Sequence, residues 1–406
     1  MSRSSKSPGS NHSQRSALLA ACTAHGVHDG LTDLIYVLLP IWQSQFVLAY
    51  AMVGLMRGLY SGTMAGCQLL ASRLARRWGR KRLLVLGTLL AGLSYLLAGQ
   101  AAGLLMLLPA LALGGVGAST QHPLASSLVA DTHEAGASVR KALAQYNFAG
   151  DIGKTLLPAL AGLVLTVLDW RACVSLMGGL GVLAALLLWR LLPAADSAGI
   201  ASPAVPKKEL VAPASQGSSA LRALLLTGLL DSAVRMGFLT FLPFLLRARG
   251  AGTAGIGLAL SLLFVGGACG KLVCGYLAAR IGMMKTVWLT ELATAVVIML
   301  SIVLPLSGIM TLLPLLGVVL NGTSSALYGT VPELAGAGGR ERAFAQFYTV
   351  TIGAGALAPV LFGRLGDIMG MPVALCCLAV LLLPTLPLAW RVQQGLLVLE
   401  TPTPAS

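Results

Sequence analysis

The sequence predicts an all-α polytopic membrane protein of twelve transmembrane helices in two six-helix bundles. Three observations carry this. The 406-residue chain is 56% hydrophobic and only 10% charged, with a mean hydropathy of +0.82. Soluble domains carry roughly 25% charged residues. Apolar runs of membrane-spanning length recur from end to end, and the second half repeats landmarks of the first at matching intervals.

A helix needs about 20 apolar residues to cross a bilayer. Apolar runs between polar breaks place six helices at 16–42, 50–72, 82–100, 103–129, 140–167 and 172–192. Six more fall at 221–246, 253–279, 285–305, 308–330, 342–363 and 371–391. Residues 1–192 then form an N-terminal bundle and 220–406 a C-terminal one. The stretch between them, 193–219, is rich in Pro, Ala and Ser, has no apolar period, and reads as a cytoplasmic linker. The polar N-terminus and the long, charged first apolar run do not fit a cleavable signal peptide.

Basic residues set the orientation. They cluster near the N-terminus, from Arg73 to Arg82, at Arg140 and Lys141, in the linker, at Arg280 and Lys285, at Arg340 and Arg342, and at Arg391. All of these fall on one side if both termini are cytoplasmic, which is the positive-inside arrangement. The same distribution excludes nucleic-acid binding as the meaning of the +14 net charge. The expected surroundings are the lipid bilayer of a cell inner membrane, with a monomer as the unit. The seven cysteines lie mostly in apolar runs without metal-ligand spacing, so neither a metal nor any other cofactor is expected.

The halves share landmarks. Ser72–Lys81 follows helix 2 and Gly275–Lys285 follows helix 8. Arg140–Phe148 opens helix 5 and Glu341–Thr349 opens helix 11. Pro158 and Pro359 keep the same spacing from those openings, and Asp29 and Asp231 fall at nearly equivalent places. Parallel six-helix repeats are the build of a rocking transporter whose site lies between its halves.

Charge at membrane depth costs at least about 2.5–3.5 kcal/mol per residue, so each such group asks for a reason. On helix 1, His25, Asp29 and Asp33 stand at i, i+4, i+8 and share one face, with His28 beside them. Histidine titrates near neutral pH. These four are the candidate proton-coupling groups. Arg57, His122, Asp151, Lys154, Asp231, Arg235 and Lys271 are the candidate substrate contacts. Asp151 and Lys154 can pair at i, i+3, and Asp231 and Arg235 at i, i+4. Buried ion-pair struts are the structural alternative for both pairs. Glu291 is expected to be a structural partner, for example of Lys271. Pro123 removes a helix hydrogen bond beside His122, which makes a kinked polar spot in helix 4.

Twelve helices, a six-plus-six repeat and a basic loop after helix 2 resemble the major facilitator superfamily. Its loop 2–3 signature, G-x-L-A-D-R-x-G-R-K, is matched by Ser72-Arg73-Leu74-Ala75-Arg76-Arg77-Trp78-Gly79-Arg80-Lys81, except that Ser72 replaces Gly and Arg76 replaces the acid. The resemblance implies that Arg76, Arg77, Gly79 and Arg80 take part in gating. With Arg76 in the acid's place, a latch of reversed polarity to Glu341 or Glu333 is expected.

Helix 1, with His25, His28, Asp29 and Pro40, and the glycine-rich helix 4, ending in His122-Pro123, resemble the fosmidomycin-resistance-like branch of drug exporters. Gly153, Pro158 and Gly162 fit the antiporter signature of helix 5, while Leu157 stands where it has Gly. The resemblance implies a proton-coupled exporter, an antiporter of a small organic or drug-like compound, anionic in one reading. Proton-coupled uptake of an anionic metabolite is the alternative. An enzyme is not expected, since no HExxH, GxSxG or Cys-His set occurs. An ATP-driven pump would need a Walker A sequence, and a non-transporting scaffold or sensor has no use for cavity charges.

Overall fold

The computed structural model describes residues 8–132, 137–192 and 217–400. Most of the predicted linker lies outside the described residues. The helices run as α1 (Pro8–Phe46), α2 (Tyr50–Trp78), α3 (Arg80–Gly99), α4 (Leu104–Ala118), α5 (Gln121–Thr132), α6 (Ala137–Val164) and α7 (Trp170–Leu191). They continue as α8 (Gly217–Ala248), α9 (Thr253–Ile281), α10 (Met283–Val303), α11 (Leu306–Met369), α12 (Met371–Val380) and α13 (Thr385–Glu400). Every predicted span is helical over most of its length. Nine helical stretches among the described residues are long and apolar enough to cross a membrane by length and composition. The helices α1, α2 and α6 are 39, 29 and 28 residues long and carry several of the charges considered below.

Three departures have physical causes. Predicted helix 4 is broken into α4 and α5 by a turn at Ser119 and Thr120. Pro123 cannot donate to the carbonyl four residues back, but it is tolerated in the first turn of a new helix, where N–H groups have no partner anyway. Predicted helix 12 is interrupted in the same way at residues 381–384, where Pro384 precedes α13. Predicted helices 10 and 11 lie on a single 64-residue helix, α11. Their connection holds Pro332 and a run of glycines, which read as a break. Each glycine costs a helix only about 1 kcal/mol, however. Val331 and Leu334 are anchored in an apolar core, which carries the helix into this connection.

The chain divides into two compact units. The first is Met1–Ile41, Leu59–Ser202 and Thr253–Ser261; the second is Trp42–Gly58, Pro203–Gly252 and Leu262–Ser406. The first unit has a core that includes Ala20, Ala24, Leu84, Leu124, Val129 and Leu188. The second has a core that includes Leu224, Val287, Leu327, Val331, Phe347 and Val392. Large apolar side chains such as Leu105, Leu272 and Leu361 point outward.

Gly79 between α2 and α3 has φ 84°, and Gly282 between α9 and α10 has φ 91°. Only glycine adopts this conformation at little cost, so the repeated loops turn on the same residue type. In the second unit both oxygens of Asp367 accept hydrogen bonds from the start of α2, from Tyr50 N at 2.6 Å and Ala51 N at 3.0 Å. The carboxylate satisfies two N–H groups that the helix leaves open and faces the positive end of its dipole. Asp367→Ala is expected to destabilise the protein by about 1 kcal/mol, with Asp367→Asn milder. Thermal unfolding of the purified variants in detergent checks the order. Equal midpoints for Asp367→Ala and wild type would show that the cap adds nothing.

Candidate functional site

In the first unit, α1 meets α6 through small residues. A Cβ on Gly153 would lie 1.8 Å from the Gly26 carbonyl oxygen, and one on Gly30 2.8 Å from that of Gly153. Such contacts are open only to glycine, and they bring polar side chains of the two helices within reach of each other. The hydroxyl of Tyr95 on α3 donates to the Leu31 carbonyl and fixes α1 from its other side.

At this seam a single buried carboxylate gathers four bases. Lys154 Nζ lies 3.1 Å from Asp29 Oδ2, and His25 Nε2 lies 3.2 Å from the same oxygen. His28 Nε2 is 3.7 Å and His122 Nε2 3.9 Å from Asp29 Oδ1. His25 Nδ1 is 2.8 Å from the Tyr146 carbonyl. A carbonyl only accepts, so Nδ1 carries a hydrogen and donates to Tyr146, and Nε2 is turned toward Asp29. The His25 ring stacks on Tyr146 at 4.0 Å and meets His122 edge-on at 5.3 Å. The side chain of Asp29 is 6% exposed, that of Lys154 33% and that of His122 46%. The acid is thus sealed while two of its bases reach open space.

His25, Asp29 and His122 each bring one ligand atom within 4.8 Å of the others, the spacing of a metal site. The Lys154 ammonium beside Asp29 is already the cation of this cluster, and a divalent ion would sit against it. The residues therefore fit protons and an ammonium better than a metal.

The other sequence candidates divide clearly. Asp33 is buried on α1 one turn beyond Asp29, and it and Asp151 act electrostatically on Lys154. The ammonium thus has a partner on α1 that the i, i+3 spacing to Asp151 does not indicate. In the second unit Asp231 Oδ2 is 4.0 Å from Arg235 Nε and accepts a hydrogen bond from Ser324 Oγ at 3.0 Å. Glu291 is buried on α10, and Asp231 and Arg235 act on it electrostatically. Lys271 is exposed on α9, and Arg57 is buried in the second unit. Arg76 and Arg77 lie at the end of α2, both exposed. Arg80 pairs with Asp131 at 2.5 Å, which ties the α2–α3 loop to the end of α5. The Glu341 side chain lies outside the described residues, and with it the expected Arg76–Glu341 latch.

The halves keep one register through their polar groups. Gln121 Nε2 donates to Thr88 Oγ1 at 2.6 Å, and Thr323 Oγ1 bonds Thr290 Oγ1 at 2.7 Å. Positions 29 and 231, 88 and 290, 121 and 323, and 122 and 324 are each 202 apart. Asp29 with His122 therefore corresponds to Asp231 with Ser324. Ser324 and Gly150 escape sequence reasoning. A serine or glycine carries no signal alone, but this register finds Ser324.

The Major Facilitator Superfamily model matches residues 21–359, and the chain belongs to that superfamily. No curated protein matches the sequence. Among solved structures, the chain is similar to a bacterial homologue of the human lysosomal transporter Spinster in an inward-facing, unoccupied conformation. The TM-score is 0.79 at 15% identity, over 99% of this chain and 100% of that one. The occupied form of that homologue gives 0.77 at 17% identity, with coverage of 99% and 100%. A point mutant of the nucleoside transporter NupG gives 0.74 at 14% identity, over 93% of this chain and 99% of that one. At these identities the likeness shows the fold. The protein is a multi-pass membrane transporter of small molecules and not an enzyme.

Proposed function

We propose that this transporter carries a small organic anion together with protons, and that proton and substrate meet at the Asp29–Lys154 pair. The observation that carries this reading is a partly accessible ammonium held at 3.1 Å by a sealed carboxylate with three imidazoles around it. The sign of coupling follows from charge. A proton taken up on His25 Nε2 gives Asp29 a second cation at 3.2 Å and weakens its claim on Lys154. The released ammonium is then free for an anion. Conversely, an anion that draws Lys154 away leaves Asp29 in need of a proton. Each ligand favours the other, so they bind and move together. With an inward proton gradient across a cell inner membrane, that is uptake.

Exchange, the direction implied by the drug-exporter resemblance, needs proton and substrate to compete. A cationic compound would compete at Asp29, but the Lys154 ammonium occupies that position. The charge arrangement therefore supports uptake by co-transport.

The test uses the full chain in proteoliposomes with a pH-sensitive dye inside. Carboxylates, phosphonates and sulfonates are added outside in turn, and internal acidification is recorded. At least one anion is expected to carry protons inward with it, and Lys154→Gln should abolish that signal. A transported anion that moves protons the opposite way would establish exchange and overturn the proposal.

A further inference from the structure

The second unit carries an open apolar groove between α10 and α13. Its volume is about 660 Å³, and Leu289 and Leu292 of α10 face Leu386 of α13 across it. Lys285, Leu289 and Leu292 stand at i, i+4, i+7, so they share one face of α10. At 1.5 Å per residue the lysine lies about 10 Å along the helix from Leu292. Trp288 Nε1 donates to the Leu386 carbonyl at 2.8 Å, which ties the two helices beside the groove. Met284 and Val287, at the start of α10, share a core with Ala389 and Val392 of α13. One end of the groove therefore holds Lys285, Trp390 and Arg391, all three exposed.

That end is positive. Residues 276–290 and 385–399 contain Arg280, Lys285 and Arg391 and no acid. The next acid along α10, Glu291, is buried. A lysine can lay its stem on apolar surface while its ammonium stays in water. Tryptophan favours the level where a membrane helix meets water, because its ring is apolar and its N–H polar. The groove thus offers hydrocarbon contact along its length and positive charge at one end. Those are the needs of the two parts of an anionic phospholipid.

The first unit satisfies its comparable lysine from within the chain. Trp189 and Arg190 stand 201 positions before Trp390 and Arg391, the offset that also relates Pro158 to Pro359. There Lys81, at the start of α3, lies 5.2 Å over the Trp189 ring and donates to the Leu192 carbonyl. That carbonyl is open because α7 ends at Leu191, and the last carbonyls of a helix have no partner within it. By contrast, α13 runs on past Trp390 to Glu400, so its carbonyls near Trp390 are taken by the helix itself. Lys285 meets no helix end and stays exposed.

We infer that this groove binds an anionic phospholipid, with an acyl chain along Leu289, Leu292 and Leu386 and the phosphate at Lys285. The site lies in the second unit and does not rest on the roles given to Asp29 and Lys154 in the first.

The test uses the full chain, one copy per nanodisc, in mixtures of phosphatidylglycerol and phosphatidylcholine with bromine on the acyl chains of one or the other. Bromine quenches indole emission on contact, and comparison with Trp390→Phe isolates the emission from the groove. Brominated phosphatidylglycerol is expected to quench that emission more than brominated phosphatidylcholine at the same mole fraction. Lys285→Gln should lower this preference about fivefold. Lys285→Arg should keep it, and Lys81→Gln should leave it unchanged. Leu292→Phe narrows the groove and keeps the lysine, so it should lower quenching by both lipids. Equal quenching by the two lipids in the wild type overturns the proposal, as does a preference that survives Lys285→Gln. A preference removed by inorganic phosphate, but not by chloride at equal ionic strength, would show a site for the anion alone and overturns it too. Unchanged quenching in Leu292→Phe overturns it even where a Lys285 variant does not fold. Failure of anion co-transport would leave the quenching untouched, so the two readings fail separately.

Discussion

Asp29→Asn is expected to abolish proton-coupled transport, with a loss of initial rate of roughly 100-fold or more, while the protein still reaches the membrane. The carboxylate is the common partner of Lys154, His25, His28 and His122. Removing one member of a buried ion pair costs about 3–5 kcal/mol, because the other is left as an uncompensated charge. Lys154 is one-third exposed, so water takes up part of that charge and the lower end applies. About 3 kcal/mol corresponds to roughly 100-fold in an equilibrium. The double variant Asp29→Asn with Lys154→Gln removes both charges and should regain thermal stability over the single one without regaining transport. Asp33→Asn is expected to be impaired less, since Asp33 acts on Lys154 more weakly than Asp29 does. Anion-driven proton movement in proteoliposomes, with detergent-solubilised thermal midpoints beside it, checks all three variants against wild type. Wild-type rates in Asp29→Asn would remove this acid from the mechanism.

The parts of this architecture legible in the sequence are those that depend on the chain near each residue. Span positions follow from apolar length, and the break before His122 follows from Pro123, because both are properties of a local stretch. The stripe of His25, Asp29 and Asp33 is equally readable from helical period. The partner of Lys154 is not. Spacing along α6 suggests Asp151, but nothing in it shows that the ammonium also lies against Asp29 on another helix. A lysine can swing through a wide arc, and which acid it finds depends on how α1 and α6 are rotated, which sequence spacing does not encode. The Asp367 cap on α2 is invisible for a related reason, since its two residues are 317 positions apart. The continuity of α11 is hidden because Pro332 and the glycines after it read as a loop, while the core contacts of Val331 and Leu334 exist only in the folded chain.

Gly153→Ala is expected to destabilise the protein and to reduce transport about tenfold or more, although alanine is the better helix former. The added methyl would sit 1.8 Å from the Gly26 carbonyl oxygen and 2.9 Å from the Gly26 Cα. These are backbone atoms with no rotamer to change, so α6 must move away from α1 to reach ordinary contact. Overpacking of this kind costs about 1–3 kcal/mol. The functional loss comes from geometry: Lys154 is the next residue on α6, and its 3.1 Å contact with Asp29 crosses the seam that would open. Gly179 on α7 has open space where its Cβ would be, so Gly179→Ala is the matched control. It should keep full transport and gain up to about 1 kcal/mol from helix propensity. Gly150→Ala separates the two effects. Its methyl would meet side-chain atoms, Asp29 Oδ2 and His25 Cε1, both at 2.7 Å, and side chains can give way where backbone cannot. It should cost less stability than Gly153→Ala yet disturb transport as much, because the groups that yield, Asp29 and His25, are the ones gathered around Lys154. Thermal midpoints and anion-driven proton uptake across the three variants read the two effects apart. If Gly153→Ala behaves like Gly179→Ala in both, close contact of α1 and α6 is not what sets the Asp29–Lys154 pair.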